Sequence, residues 1–247
     1  MHLKGAGALW GWSHNDDIID AADRLGIGRL CCSIPVVQGI PKAEQVRACN
    51  DAVLAEMQRY TGRILGYCYV CPGLTSTLDE IDRCLDQGMI GIKLYNQYKI
   101  WDPVVHPVLE KAIARQVPIL EHAGYPTTSE HWAAQPKMSH AEDFVRAAAL
   151  CPEAMLIEAH IGGGGDWEWA LKQLREAPSV FLDTSGSVVD EGMIERCARE
   201  LGAERLLFGT DMTMEGGVGK ILGADLTRAQ KARIFRTNMQ AILDRRS

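Results

Sequence analysis

Seven short apolar, β-rich runs recur along this chain at intervals of roughly 25 to 40 residues, with amphipathic segments between them, and that alternation limits the fold more than any other feature. The runs are RLCCSI (29–34), RILGYCYV (63–70), MIGIKLY (89–95), VPILEHA (117–123), AMLIEAHI (154–161), SVFLDTS (179–185) and RLLFGTD (205–211). Between them, Ile18, Ala22 and Leu25 mark one helical face, and Leu78, Ile81 and Leu85 mark another. Ser139 with Glu142 and Thr77 with Glu80 have capping-box spacing, and Gly26 and Gly88 follow the helices they would end. Strict β/α alternation leaves two architectures, an open doubly wound sheet or a (β/α)8 barrel. No G-x-G-x-x-G follows the first run, which counts against a dinucleotide-binding sheet. A barrel needs an eighth strand, and its only place is before Ile18, around residues 1–5. The alternation leaves both architectures standing, the TIM-type barrel only with a truncated first strand, and in either case one domain over residues 1–247 ending in a helix at about 226–246.

Composition narrows the function classes. Hydrophobic residues are 47% and charged residues 23% of 247, so the chain can bury a real core. Lys+Arg 26 against Asp+Glu 32 gives a net charge of −6, too mild and too mixed for a nucleic-acid or anionic-membrane binder. No apolar run of membrane-spanning length or signal-peptide plan is present, and a cytoplasmic location is expected. The eight cysteines lack disulfide-framework spacing. Cys68 and Cys71 form the one C-x-x-C, but on a strand their side chains face opposite ways, so packed, reduced thiols are expected.

The strand ends carry the chemistry. In a barrel every strand delivers its C-terminal end to one mouth. Read in turn, those ends present Lys93, His122, His160 and Asp211, with Tyr95, Asn96 and Gln97 just beyond Lys93. Taken singly, each has a structural reading: a hydrogen-bonded histidine, a capping aspartate, a rim lysine. Together, imidazoles and a carboxylate on rigid strands are what a metal needs.

The segments GIKLYNQYKIWDP, VPILEHAG, LIEAHIGGGG and LLFGTDM, in that order, resemble the amidohydrolase superfamily, specifically its amidohydrolase-related branch of metal-dependent hydrolases. The resemblance spans nearly the whole chain and implies a distorted (β/α)8 barrel with an H-x-H on the first strand, a histidine on the fifth and sixth, and an aspartate on the eighth. Carried onto this sequence, it implies His122 and Asp211 as metal ligands, Asp211 also as proton acceptor, and His160 polarising the reacting group. The chain departs at its start: His2 aligns with the second histidine of the H-x-H, Met1 falls at the x, and the first histidine is absent. That register implies a frame starting upstream, a metal held weakly through His2, His122 and Asp211, and an open edge favouring self-association into a homo-oligomer.

The implied reaction is metal-assisted hydrolysis of a C–N or C–O bond in a small, anionic substrate. One divalent ion, zinc by ligand preference, activates water; Lys93, Tyr95 and Asn96 contact the substrate. Glycine-rich stretches at 162–165 and 216–219 either present backbone N–H groups to an anion or only let loops turn. Trp101, Trp132, Trp167 and Trp169 either wall the substrate or pack the outer helices. Two rivals remain at this level: a decarboxylase resembling aminocarboxymuconate-semialdehyde decarboxylase, and a catalytically silent barrel.

Overall fold

A computed structural model describes residues 1–4, 14–125, 128–161, 167–186, 188–211 and 213–246. The seven runs form seven parallel strands hydrogen-bonded in chain order: β1 Leu30–Cys32, β2 Ile64–Tyr69, β3 Gly91–Leu94, β4 Ile119–His122, β5 Leu156–Ala159, β6 Phe181–Asp183 and β7 Leu206–Leu207. Each is shorter than its apolar run, because a residue is a strand member only where a neighbour supplies both hydrogen bonds. The eighth position is held by residues 1–3. The Met1 ammonium donates to the Cys31 carbonyl at 3.2 Å, and the Leu3 N–H to that of Ser33 at 3.2 Å. The result is a distorted (β/α)8 barrel with a truncated first strand, as the family resemblance implies.

Helices cover the outside: α1 Asn15–Arg24, α2 Ala43–Arg59, α3 Thr77–Asp86, α4 His106–Ala114, α5 Ser129–Ala134, α6 Ala141–Leu150, α7 Trp167–Leu174, α8 Met193–Leu201 and α9 Met214–Gly223. After them come α10 Arg228–Ala232, a π-helical turn over Arg233–Thr237, and α11 Asn238–Leu243. Gly26 and Gly88 do end α1 and α3, each with positive φ (72° and 96°). Two start signals moved by one residue: α6 is capped at His140, whose N–H donates to Asp143, and α3 follows Ser76 while the Thr77 hydroxyl donates to the Cys71 carbonyl. Leu78 lies on the outer face of α3, where Cys84 takes the inward place beside Ile81 and Leu85.

The cysteines are free thiols, and Cys68 and Cys71 are both fully buried. Burial pushes the Cys71 thiol up to about 11 and that of Cys32 to about 12, so neither is a ready thiolate. Among the described residues no helix is long and apolar enough to cross a membrane.

The C-terminal segment covers the outer edge of β7. The Phe208 N–H donates to the Ile234 carbonyl at 3.0 Å, and the Asn238 amide donates to Leu206 (2.8 Å) and Ala203 (2.7 Å) carbonyls. Asn238 is buried, so Asn238→Ala strands two carbonyls away from water. A loss of about 2 kcal/mol is expected in urea unfolding, with retained helical circular dichroism.

Candidate active site at the barrel mouth

His122 ends β4, His160 follows β5, Asp211 follows β7 and Lys93 lies in β3, so the mouth gathers these four side chains as the alternation predicts. The local backbone is unusual at two of them. His160 (φ 67°) and Asp211 (φ 45°) occupy the left-handed region, which non-glycine residues enter at a cost of about 1–3 kcal/mol. Leaving the strand in that conformation turns their side chains across the mouth. Gly186 (φ 95°) makes room for His160, since a Cβ there would meet the His160 Cβ at 3.3 Å.

The imidazoles are held by specific partners. His122 stacks on Tyr95 (centroids 4.3 Å, planes 14° apart), which fixes its ring so that Nδ1 faces His160 Nε2 at 3.0 Å. His160 Nδ1 lies 2.7 Å from the Ser185 hydroxyl, a partner that can donate or accept and so holds the ring in place in either tautomer. The Ser185 N–H in turn donates to Asp183 Oδ1 at 2.7 Å. His2 Nδ1 approaches the Ser33 carbonyl at 3.3 Å, and its Nε2 lies 3.5 Å from Asp211 Oδ1.

Electrostatics keep the rings neutral and the carboxylate charged. Burial, then the neighbouring amino terminus, pushes His2 down to about 3 against the pull of Asp211. Burial, reinforced by His160 and Lys93, takes His122 well below its ordinary range. Burial also lowers His160, although Asp211 and Asp183 oppose it. For Asp211, burial pushes upward, but His160, His2, the amino terminus and Lys93 outweigh it and hold the carboxyl low. Lys93 is 3% exposed, and burial brings it down to about 8 despite Asp183 and Asp211. Its Nζ stands 5.6 Å from the Tyr95 ring centre.

Neutral imidazoles and an ionised carboxylate are the right donors for a divalent ion. Two ligands at about 2.1 Å from one ion stand roughly 3.0 to 3.4 Å apart, and the His122–His160 and His2–Asp211 spacings match or nearly match that span. Among the described residues, however, no three such side chains close on a single point. His122 is turned to His160 rather than to His2 and Asp211, because the Tyr95 stack sets its plane.

Other expected contacts changed. Both Asn96 amide contacts hold the framework, donating to Gln135 Oε1 (2.9 Å) and the Val37 carbonyl, and Gln97 likewise ties down the Val36 and Gly39 carbonyls. The 216–219 stretch is not a loop: it lies inside α9, where a Cβ on Gly217 would meet the Gly209 carbonyl at 2.9 Å. Gly217 there serves the close approach of α9 to the segment just after β7. The 162–165 stretch lies outside the described residues. Trp101 and Trp167 spend their indole N–H groups on Asp143 and Asp190, and Trp169 is half exposed, so these three pack the helical layer.

The sequence profile of the Amidohydrolase family matches residues 35–245. The chain belongs to that family. No curated protein sequence matches it. Among solved structures, the 2,6-dihydroxybenzoate decarboxylase from Rhizobium is similar at 18% identity and TM-score 0.75, covering 96% of this chain and 94% of that one. The dihydroxybenzoic acid decarboxylase from Polaromonas sp. JS666, which holds manganese and 2-nitroresorcinol, is similar at 16% and 0.70, covering 93% and 85%. The 4-oxalomesaconate hydratase from Rhodopseudomonas palustris is similar at 17% and 0.71, covering 94% and 81%. At these identities the likeness shows the barrel. Family membership makes this amidohydrolase-family chain an enzyme of that superfamily without naming its reaction.

Proposed function

We propose that this amidohydrolase-family barrel is a metal-dependent hydrolase of a small anionic substrate. The observation that carries the reading is Asp211, a carboxylate kept ionised at the mouth among neutral imidazoles. His2 and Asp211, 3.5 Å apart, would hold the ion once His122 turns from His160 to join them, zinc by donor type, with manganese the alternative. A divalent ion there supplies the Lewis acidity that makes water nucleophilic at neutral pH. Asp211 accepts the proton that the attacking water loses. His160, its Nδ1 engaged by Ser185, would give its Nε2, released from His122, to the oxygen on which negative charge develops. Lys93, enclosed and cationic below pH 8, holds the substrate's anionic group, and Tyr95 walls the site beside it.

Lys93 and the two mouth histidines each carry an expected result. Lys93→Met should lower kcat/KM for an anionic substrate roughly ten- to hundredfold, chiefly through KM. In the native enzyme the same lysine gives kcat/KM an alkaline limb near pH 8, because the cation is present below its pKa and lost above it. For the ligands, His122→Ala should lose metal, read by elemental analysis of protein purified without chelator, whereas His160→Ala should lose rate more than metal. Equal metal in the native enzyme and His122→Ala would overturn the ligand assignment, and no metal in either favours the silent barrel.

Decarboxylation is the second reading, favoured by the two dihydroxybenzoate decarboxylases that match over most of the chain. A metal-loaded sample offered 2,6-dihydroxybenzoate and, separately, a panel of amides, esters and lactones decides between them. Release of CO2 from the first with no turnover of the panel replaces hydrolysis by decarboxylation.

A further inference from the structure

Ile157 of β5 borders the barrel interior, so its neighbour Glu158 faces the other way, under α6 and α7. There a cavity of about 10 Å³ is bordered by Glu158, Gly124, Tyr125, His140, Glu142 and Trp169. That is room for one particle the size of a water molecule. Glu158 is 1% exposed, and its Oε2 has no hydrogen-bond partner among the described residues. The charge around it is one-sided. Burial opposes ionisation of Glu158, and the Glu142 and Asp143 carboxylates add to that opposition. The same two carboxylates sit in the first turn of α6 and offset the positive helix end. Nearby cations are engaged elsewhere: Lys99 Nζ reaches Asp143 at 2.6 Å, and Arg205 donates to the Leu174, Ala177 and Val180 carbonyls. Lys172 Nζ stands 5.2 Å from the Trp169 ring centre. Tyr125 stacks on His140 with centroids 3.8 Å apart, and its hydroxyl donates to Glu142 Oε1 at 2.8 Å.

We propose that this cavity holds one monovalent cation of water's size, potassium or ammonium, with Glu158 as its carboxylate ligand. The ion supplies the counter-charge that a buried carboxylate needs and that no side chain here provides. The Trp169 and Tyr125 rings, which also border the cavity, present faces that attract a cation. Room for a single particle means that the ion enters without its water, and small ions give up water least readily. That selects potassium or ammonium over lithium, and bulk excludes tetramethylammonium. A divalent metal is not the occupant, because among the described residues no three His, Cys, Asp or Glu side chains gather as one requires. Once bound, the cation ties β5, the strand that leads to His160, to the starts of α6 and α7.

Thermal unfolding at pH 8 in the chlorides of potassium, ammonium, lithium and tetramethylammonium, at equal ionic strength, tests this. Potassium or ammonium, at tenfold its Kd, should raise Tm over tetramethylammonium by roughly 3–6 °C, and lithium should not. The larger of the two shifts names the ion. In Glu158→Gln that shift should vanish, since the amide carries no charge for the cation to balance. Crystals of the native protein soaked in a thallium(I) salt, which stands in for either ion, should show an anomalous peak beside Glu158 Oε2. A Tm that is the same in all four salts overturns the proposal, and so does a shift that survives in Glu158→Gln. A water molecule alone in the cavity, with no thallium peak, overturns it as well.

Discussion

Asp211→Asn is expected to leave the barrel folded and lower turnover by roughly a thousandfold. Loss of a positioned general base costs about 10²–10⁴ in rate, and an amide cannot accept the proton that water must lose. The substitution is also the mildest that the backbone allows. Asp211 has φ 45°, and asparagine is the residue other than glycine that enters this region most readily. Unfolding in urea should therefore shift by less than about 1 kcal/mol, which separates lost chemistry from lost structure. Its acid limb should fall below the ordinary carboxylate range in the native enzyme, because the carboxyl is held low and is the active base only when ionised. Retention of more than a tenth of native kcat in Asp211→Asn would remove Asp211 from the proton-transfer role.

Glu158→Gln is expected to stabilise the protein strongly at alkaline pH and weakly at acid pH. Glu158 lies in β5, is 1% exposed, and its Oε2 has no hydrogen-bond partner among the described residues. It stands directly across from Glu121 of β4, a second buried carboxyl with an unpartnered oxygen. Burial pushes Glu158 up to about 8, with the carboxylates of Glu142 and Asp143 adding to the rise. A carboxyl with a raised folded pKa binds its proton more tightly in the folded state. Stability is then greatest below the unfolded pKa and is lost as pH rises towards about 8. Over that window the cost is on the order of 3 kcal/mol, or roughly 6–12 °C in Tm for a chain of this size. Glutamine fills the same space and does not ionise. Calorimetry at pH 5 and pH 8 should therefore show a Tm gap between the two proteins that widens with pH, and a constant gap would refute the assignment.

The strands and the mouth were legible because they rest on local signals. Apolar β-rich runs mark strands regardless of neighbours, and polar residues at their ends mark the mouth. What the sequence hid depends on tertiary approach. The glycines within 216–219 read as a turn, yet they lie inside α9, where Gly217 lets the helix approach the Gly209 carbonyl just after β7. Ser185 closes the run SVFLDTS with no sign of a partner. Only the fold brings it, 25 positions on, against His160. Polarity at the end of SVFLDTS was the one available signal. Asn96 fails in the opposite sense: its position beside Lys93 suggests substrate contact, but the surrounding loops use its amide. The His122–His160 facing pair was also invisible, since it follows from a ring stack set by Tyr95.

The cover on β7 bears on how this barrel is made in the cell. Synthesis runs from the amino end, so β7 leaves the ribosome ahead of the residues that seal its outer edge. Until Ile234 and Asn238 leave the ribosome, the outward groups of Leu206 and Phe208 form a bare parallel edge, the kind of surface on which nascent chains stick to one another. The final turns of the chain thus act as its own chaperone, arriving last and closing the surface that is riskiest to leave open. A premature stop near residue 230 would remove less than a tenth of the chain and yield a product lost to aggregation rather than one with a weakened mouth.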